Sequence, residues 1–163
     1  MIRSKNVREI ECYTFENEIE ADIQLVFECL NDDEHVLKWN SLIIENISEV
    51  PKDEIKVGST YISRQKFEKK VFEAKATYTK YTPPYKVAVE TDTKEGISRT
   101  EYTLKEFDEG TILQVRVTLL PSNWYYKILT NLMKWSFKFI YDDQFKSFID
   151  YVYDVQYERD VRG

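Results

Sequence analysis

The pattern of apolar and polar positions divides the chain in two. From Glu9 to Leu119 it mostly alternates, as half-buried strands do. From Ser122 to Gln156 apolar residues recur three and four apart with no Gly and no Pro, which predicts one long helix. Pro121-Ser122 stands just before it, and Ser122 or Asn123 suits its N-cap. In Glu9–Ile19, Tyr13, Phe15, Asn17 and Ile19 share one strand face, and Glu16, Glu18 and Glu20 point the other way. Asp22 then caps a short helix whose stripe is Ile23, Val26, Phe27 and Leu30. Asn31-Asp32-Asp33 breaks it, and a second short helical piece holds Val36, Leu37 and Trp39. Leu42–Val50 returns to strand and ends at Pro51-Lys52-Asp53, with Gly58 as a turn residue. Ser59–Phe67, Val71–Tyr81, Tyr85–Asp92, Ile97–Phe107 and Thr111–Leu119 follow as strands. Most are joined by short turns, so about seven strands form an antiparallel sheet.

Each strand has one apolar and one charged face, and the apolar faces need cover. The only candidates are the two short helices after strand 1 and the long helix at the end. The expectation is an α+β fold in which a curved sheet wraps the C-terminal helix, in one domain spanning residues 1–163. A ligand cavity between sheet and helix would then be lined by Tyr61, Ser63, Gln65, Phe67, Phe72, Tyr78, Val87, Val89, Tyr102, Leu104, Leu113 and Val115. Trp39 and the helix residues Leu132, Trp135 and Phe139 would close it. An apolar pocket with few polar groups is the usual small-molecule site. The alternative is a dry core whose tyrosine hydroxyls reach the rim.

Composition narrows the function. A domain of 163 residues buries roughly 70% of its unfolded surface. A net charge of −6 argues against nucleic acid, which demands a basic face. Cys12 and Cys29 form neither a C-x-x-C pair nor a disulfide framework, and read as ordinary reduced thiols. The start Met1-Ile2-Arg3-Ser4-Lys5 lacks the apolar core of a signal peptide. Lys127, Asn131, Lys134 and Lys138 interrupt the only long apolar run, so a cytoplasmic protein without a membrane span is expected. The lone His35 reads as a surface or capping residue, with a general base as the alternative, and no metal or cofactor site is expected. Four glycines cannot build a phosphate loop. Asp32-Asp33-Glu34 lacks the spacing of a calcium loop and reads as a solvated helix break.

Several local motifs resemble the helix-grip fold of the START-like, birch-pollen-allergen-like (SRPBCC) superfamily, in particular its polyketide cyclase/dehydratase-like branch. Ile19-x-Ala21, Val26-Phe27, Leu30, the acidic break and Trp39 resemble its opening strand, first helix and tryptophan. Val57-Gly58-Ser59 is similar to its turn into the third strand, Tyr81-Thr82-Pro83-Pro84 to its mid-sheet turn, and Gly110-Thr111 to its last hairpin. The resemblance implies a sheet gripping the C-terminal helix around a cavity for lipids, polyketides or other hydrophobic molecules. It supplies neither a ligand nor a catalytic residue.

Three functions are compatible with these features. The first is binding of a hydrophobic small molecule or lipid in the cavity, without evident catalysis. The second is a cyclase or dehydratase, which needs an inward acid or base; Glu73, Glu90 and Glu101 all fall outward. The third is an interaction module using the C-terminal helix. In that helix Tyr125, Ile128, Leu129, Leu132, Phe139 and Ile140 fall opposite Lys127, Lys134 and Lys138. After Tyr141-Asp142-Asp143 the phase reverses, and Phe145, Phe148, Ile149 and Val152 take the lysine side. A straight helix cannot bury both stripes against one sheet. A break or sharp kink is therefore expected within Ser136–Gln144. The second segment would grip the sheet. The first would cover the cavity mouth or face a protein partner, an anionic membrane surface or a second copy in a homodimer.

Overall fold

A computed structural model describes residues 8–163. Strand β1 (Ile10–Ile19) leads into two short helices, α1 (Ile23–Asn31) and α2 (Asp33–Trp39). Six strands follow: β2 (Ile43–Ser48), β3 (Thr60–Phe67), β4 (Lys70–Thr82), β5 (Lys86–Thr93), β6 (Gly96–Phe107) and β7 (Gly110–Pro121). Helix α3 (Trp124–Arg162) ends the described chain. The sheet order is β1-β7-β6-β5-β4-β3-β2, with every neighbouring pair antiparallel. Register shifts in β1, β2 and β4 mark bulges, which bend the sheet into a half-wrap. This is the α+β helix grip that the alternation implied.

Local chemistry sets the element ends. Asp22 Oδ2 accepts the Gln24 N–H at 2.9 Å and caps α1, and Asn123 Oδ1 accepts the Tyr126 N–H at 3.1 Å and caps α3. Gly96 turns β5 into β6 at a φ of +145°, and a Cβ there would lie 2.0 Å from the Leu120 carbonyl oxygen. Only glycine fits such a turn.

Cross-strand partners share a face, so register decides what lines the concave side. One row runs Tyr78, Val89, Thr100, Val117, Tyr13. The next runs Val87, Tyr102, Val115, Phe15. Helices α1 and α2 and the second half of α3 cover these rows. Val26, Cys29, Phe148 and Val152 are completely buried there. Full burial of one such apolar side chain is worth about 1.5–3 kcal/mol.

The helix contradicts one expectation. It runs without interruption from Trp124 to Arg162, so Ser136–Gln144 holds no break. The break was inferred because two opposed stripes cannot both be buried. The protein instead leaves the first stripe unburied. At 1.5 Å per residue the helix spans about 58 Å, against a body about 40 Å across for a compact chain of this length.

His35 also differs from expectation. Its side chain is only 14% exposed, and Nδ1 lies 2.6 Å from the Tyr151 hydroxyl on α3. It pins α2 to the long helix rather than standing on the surface.

Candidate functional site

A cavity of about 180 Å³ lies between the concave sheet and the middle of α3. The sheet contributes Tyr61, Ser63 and Gln65 from β3, Ala76 from β4, Val89 and Thr91 from β5, Thr100 and Tyr102 from β6, and Val117 from β7. Tyr141, Gln144 and Phe145 close it from α3, Asn40 and Leu42 from the α2–β2 connection, and Ile43 from the start of β2. The strand residues meet because register puts Tyr61 opposite Ala76, Ala76 opposite Thr91, and Val89 opposite Thr100.

The lining mixes apolar surface with hydroxyls and carboxamides, and none of its residues is Asp, Glu, His, Lys or Arg. Burial raises the phenols of Tyr61, Tyr102 and Tyr141 above the usual tyrosine value, so each holds its proton and acts as a hydrogen-bond donor. Gln65 Nε2 donates to Ser63 Oγ at 3.2 Å. Gln144 is 8% exposed, and its Nε2 has no hydrogen-bond partner among the described residues. A buried donor left unpaired costs about 1–3 kcal/mol.

The expected cavity residues divide sharply. Tyr61, Ser63, Gln65, Val89 and Tyr102 line the cavity. Trp39 is buried between Phe145 and Phe148, and its Nε1 donates to the Cys29 carbonyl at 2.8 Å. Val87, Leu104, Leu113 and Val115 lie in the dry core, under α1 and the second half of α3. Tyr78 is buried against Tyr61 and Tyr81. Phe67 and Phe72 are about half exposed near the β3–β4 turn, where no helix reaches. Leu132, Trp135 and Phe139 point to solvent, because the phase of α3 is set by its second half.

Sequence reasoning missed Gln144, Tyr141 and Phe145. The available signal was a lone polar residue set in the apolar stripe that Phe145 and Phe148 define. Asp32, Glu34 and His35 bring ligand atoms within 4.8 Å of one another. Asp32 is already paired with Lys52, and His35 Nδ1 with Tyr151, so two of the three groups are engaged.

A family model, Activator of Hsp90 ATPase homolog 1-like protein, matches residues 20–149. The chain belongs to that family. Membership in the Activator of Hsp90 ATPase homolog 1-like family agrees with the START-like, birch-pollen-allergen-like superfamily that the motifs resemble. None of the curated proteins matches at the sequence level. Solved structures share the fold at low identity. Ara h 8.0201 superposes with a TM-score of 0.65 at 13% identity, over 91% of this chain and 99% of that one. The di-domain ARO/CYC StfQ from the steffimycin biosynthetic pathway gives a TM-score of 0.71 at 8% identity, over 88% of this chain and 51% of that one. SA2116 from Staphylococcus aureus, a protein of unknown function, gives 0.65 at 15% identity over 98% and 100%. No described helix is long and apolar enough to cross a membrane.

Proposed function

We propose that this protein binds a compact, largely apolar molecule carrying a hydrogen-bond acceptor, in the cavity beneath α3. One observation carries the reading: the unpaired Gln144 amide, buried in a pocket otherwise lined by apolar groups, neutral hydroxyls and the Asn40 and Gln65 carboxamides. A ligand carbonyl or hydroxyl oxygen would take the Nε2 proton, and Tyr61, Tyr102 and Tyr141 would orient the rest. The volume supports a ligand of one or two rings. A dry 150 Å³ cavity holds benzene, whereas drug-sized ligands occupy about 300–1,000 Å³. A long acyl chain would need α3 to move away from the sheet.

The lining favours binding over the cyclase or dehydratase reading. General acid–base catalysis needs a group titrating near the working pH. The lining supplies only phenols whose protons burial holds more tightly.

Organic extraction of the purified protein followed by mass spectrometry tests the proposal, together with amide-detected NMR. A bound ligand shifts the Gln144 side-chain amide resonances, and Gln144→Leu lowers its affinity about five- to tenfold, the worth of one hydrogen bond. Recovery of no small molecule, with no compound in a fragment set shifting those resonances, would overturn the reading.

A further inference from the structure

The first half of α3 presents an apolar stripe that nothing among the described residues covers. Trp124, Tyr125, Ile128, Leu132, Trp135 and Phe139 are 52–73% exposed. At about 100° per residue they occupy one arc about 100° wide. Most of the stripe faces away from the body, since Thr130, on the opposite side of the helix, is buried, while Trp135 also borders a groove with Cys12 and Thr14 of β1. It cannot turn inward. The helix is unbroken, so rotating the stripe toward the sheet would drag Phe145, Phe148 and Val152 out of the core.

Charge indicates what the stripe meets. From Gly110 to Tyr141 the sequence contains no Asp or Glu, in a chain that has 29 of them. Lys127, Lys134 and Lys138 fall within that run, and among the described residues none of them forms an ion pair. Lys127 and Lys138 border the stripe on its Trp124 side. Glu11 on the body shares a groove with Lys134 and Lys138 and is already held by Arg116 Nε at 2.9 Å. The acid-free, cationic run ends abruptly at Asp142-Asp143.

We propose that this half of α3 lies in the plane of an anionic lipid surface. Its aromatic stripe would enter the headgroup–acyl boundary, and its lysines would reach the phosphates. An exposed helix with Trp, Phe and Leu on one side and cations beside them suits that interface. Trp and Tyr favour the headgroup level. Lysine stems can lie along apolar surface while their ammonium groups reach charge. A second copy fits less well. A two-fold contact pairs one surface with itself, and would set these lysines against their own kind with no acid between them.

Co-sedimentation with phosphatidylcholine vesicles, with and without phosphatidylserine, tests the proposal on the whole chain. Binding is expected to the anionic vesicles and to weaken with added salt. Lys127→Glu with Lys138→Glu should weaken it at least tenfold, from about fivefold per lysine near an anionic surface. Trp135→Ser with Phe139→Ser should abolish it. All four side chains are exposed, so circular dichroism of the variants should match the parent. Emission from Trp124 and Trp135 should shift to the blue on binding, and the Trp124 emission that remains in Trp135→Ser with Phe139→Ser should not shift when vesicles are added. The proposal fails if the folded parent stays in the supernatant with both vesicles. It also fails if both variants bind as the parent does. A concentration-dependent dimer in sedimentation velocity that Trp135→Ser with Phe139→Ser disperses, without vesicle binding, would reassign the stripe to a second copy.

Discussion

The two halves of α3 are one continuous helix with opposite chemistry. Residues 124–141 carry three lysines and no acid, whereas residues 142–163 carry six acids and three bases. The outward arc that holds Trp124, Trp135 and Phe139 in the first half holds Lys146, Asp150 and Asp160 beside Tyr157 in the second. Polar anchoring differs in the same way. The second half is tied to the body by Tyr13 to Asp142, His35 to Tyr151, Glu20 to Tyr153 and Gln156, and Arg159 to Glu28. In the first half, the side-chain hydrogen bonds of Asn123, Asn131 and Ser136 all go to the helix's own backbone. A helical apolar stripe therefore identifies a face but not its partner. The partner is fixed by whichever end of a rigid helix is anchored.

The largest expected effect tests that contrast directly. Phe148 is completely buried, with its ring 4.9 Å from Trp39 in an edge-on contact. Phe148→Ala should destabilise the protein by about 3–5 kcal/mol. Trp135→Ala removes a larger side chain from an exposed site and should change stability by less than about 0.5 kcal/mol. Urea unfolding followed by circular dichroism measures both. Equal losses would mean that the first half is packed in solution, and the contrast would collapse.

A smaller effect sits at the junction. The Tyr13 hydroxyl donates to Asp142 Oδ1 at 2.5 Å, just where the chemistry changes. Burial, followed by the Asp142 hydrogen bond and charge, holds the Tyr13 proton well above the usual tyrosine value. Tyr13→Phe keeps the ring stacked on Tyr141 and Phe145 and removes only this bond. Hydrogen bonds to charged groups are worth about 1.5–3 kcal/mol, so a loss within that range is expected in the same unfolding assay. No loss would show that the junction is held by packing alone.

The sheet was readable from sequence because alternation has a period of two and a wrong register reverses every face. Tyr61, Ser63, Gln65, Val89 and Tyr102 were therefore placed on the concave side by pattern alone. Alternation could not separate lining from core. Val87 and Leu104 share those faces, but whether a helix lies over them is a tertiary fact. The helix contribution was misread for a different reason. Leu132, Trp135 and Phe139 looked inward because they are large and apolar, yet the anchored half turns them outward. Gln144 passed unnoticed because a polar residue in a buried stripe looks like an interruption rather than a feature. The expected break failed on the same point, since it assumed that every apolar stripe must be buried.

The smallest effect in energy reads how tightly each half closes, through the two cysteines. Cys29 on α1 is completely buried, and its thiol is pushed up to about 11, chiefly by burial. Cys12 on β1 faces the first half of α3, in a groove with Lys134 and Trp135, and is only partly buried. Burial raises its thiol as well, but the Lys134 charge works against that rise. Only the thiolate reacts with a disulfide reagent. At about pH 8, where an ordinary thiol is partly ionised, native protein should label at Cys12, and at Cys29 only after unfolding. Two substitutions separate access from charge at Cys12. Trp135→Ser should open the groove and speed labelling. Lys134→Ala should remove the cation, let the thiol rise further and slow it. Neither should alter Cys29. If Cys29 instead labels as fast as Cys12 in the folded protein, the second half of α3 opens readily, and the anchoring assigned to it is wrong.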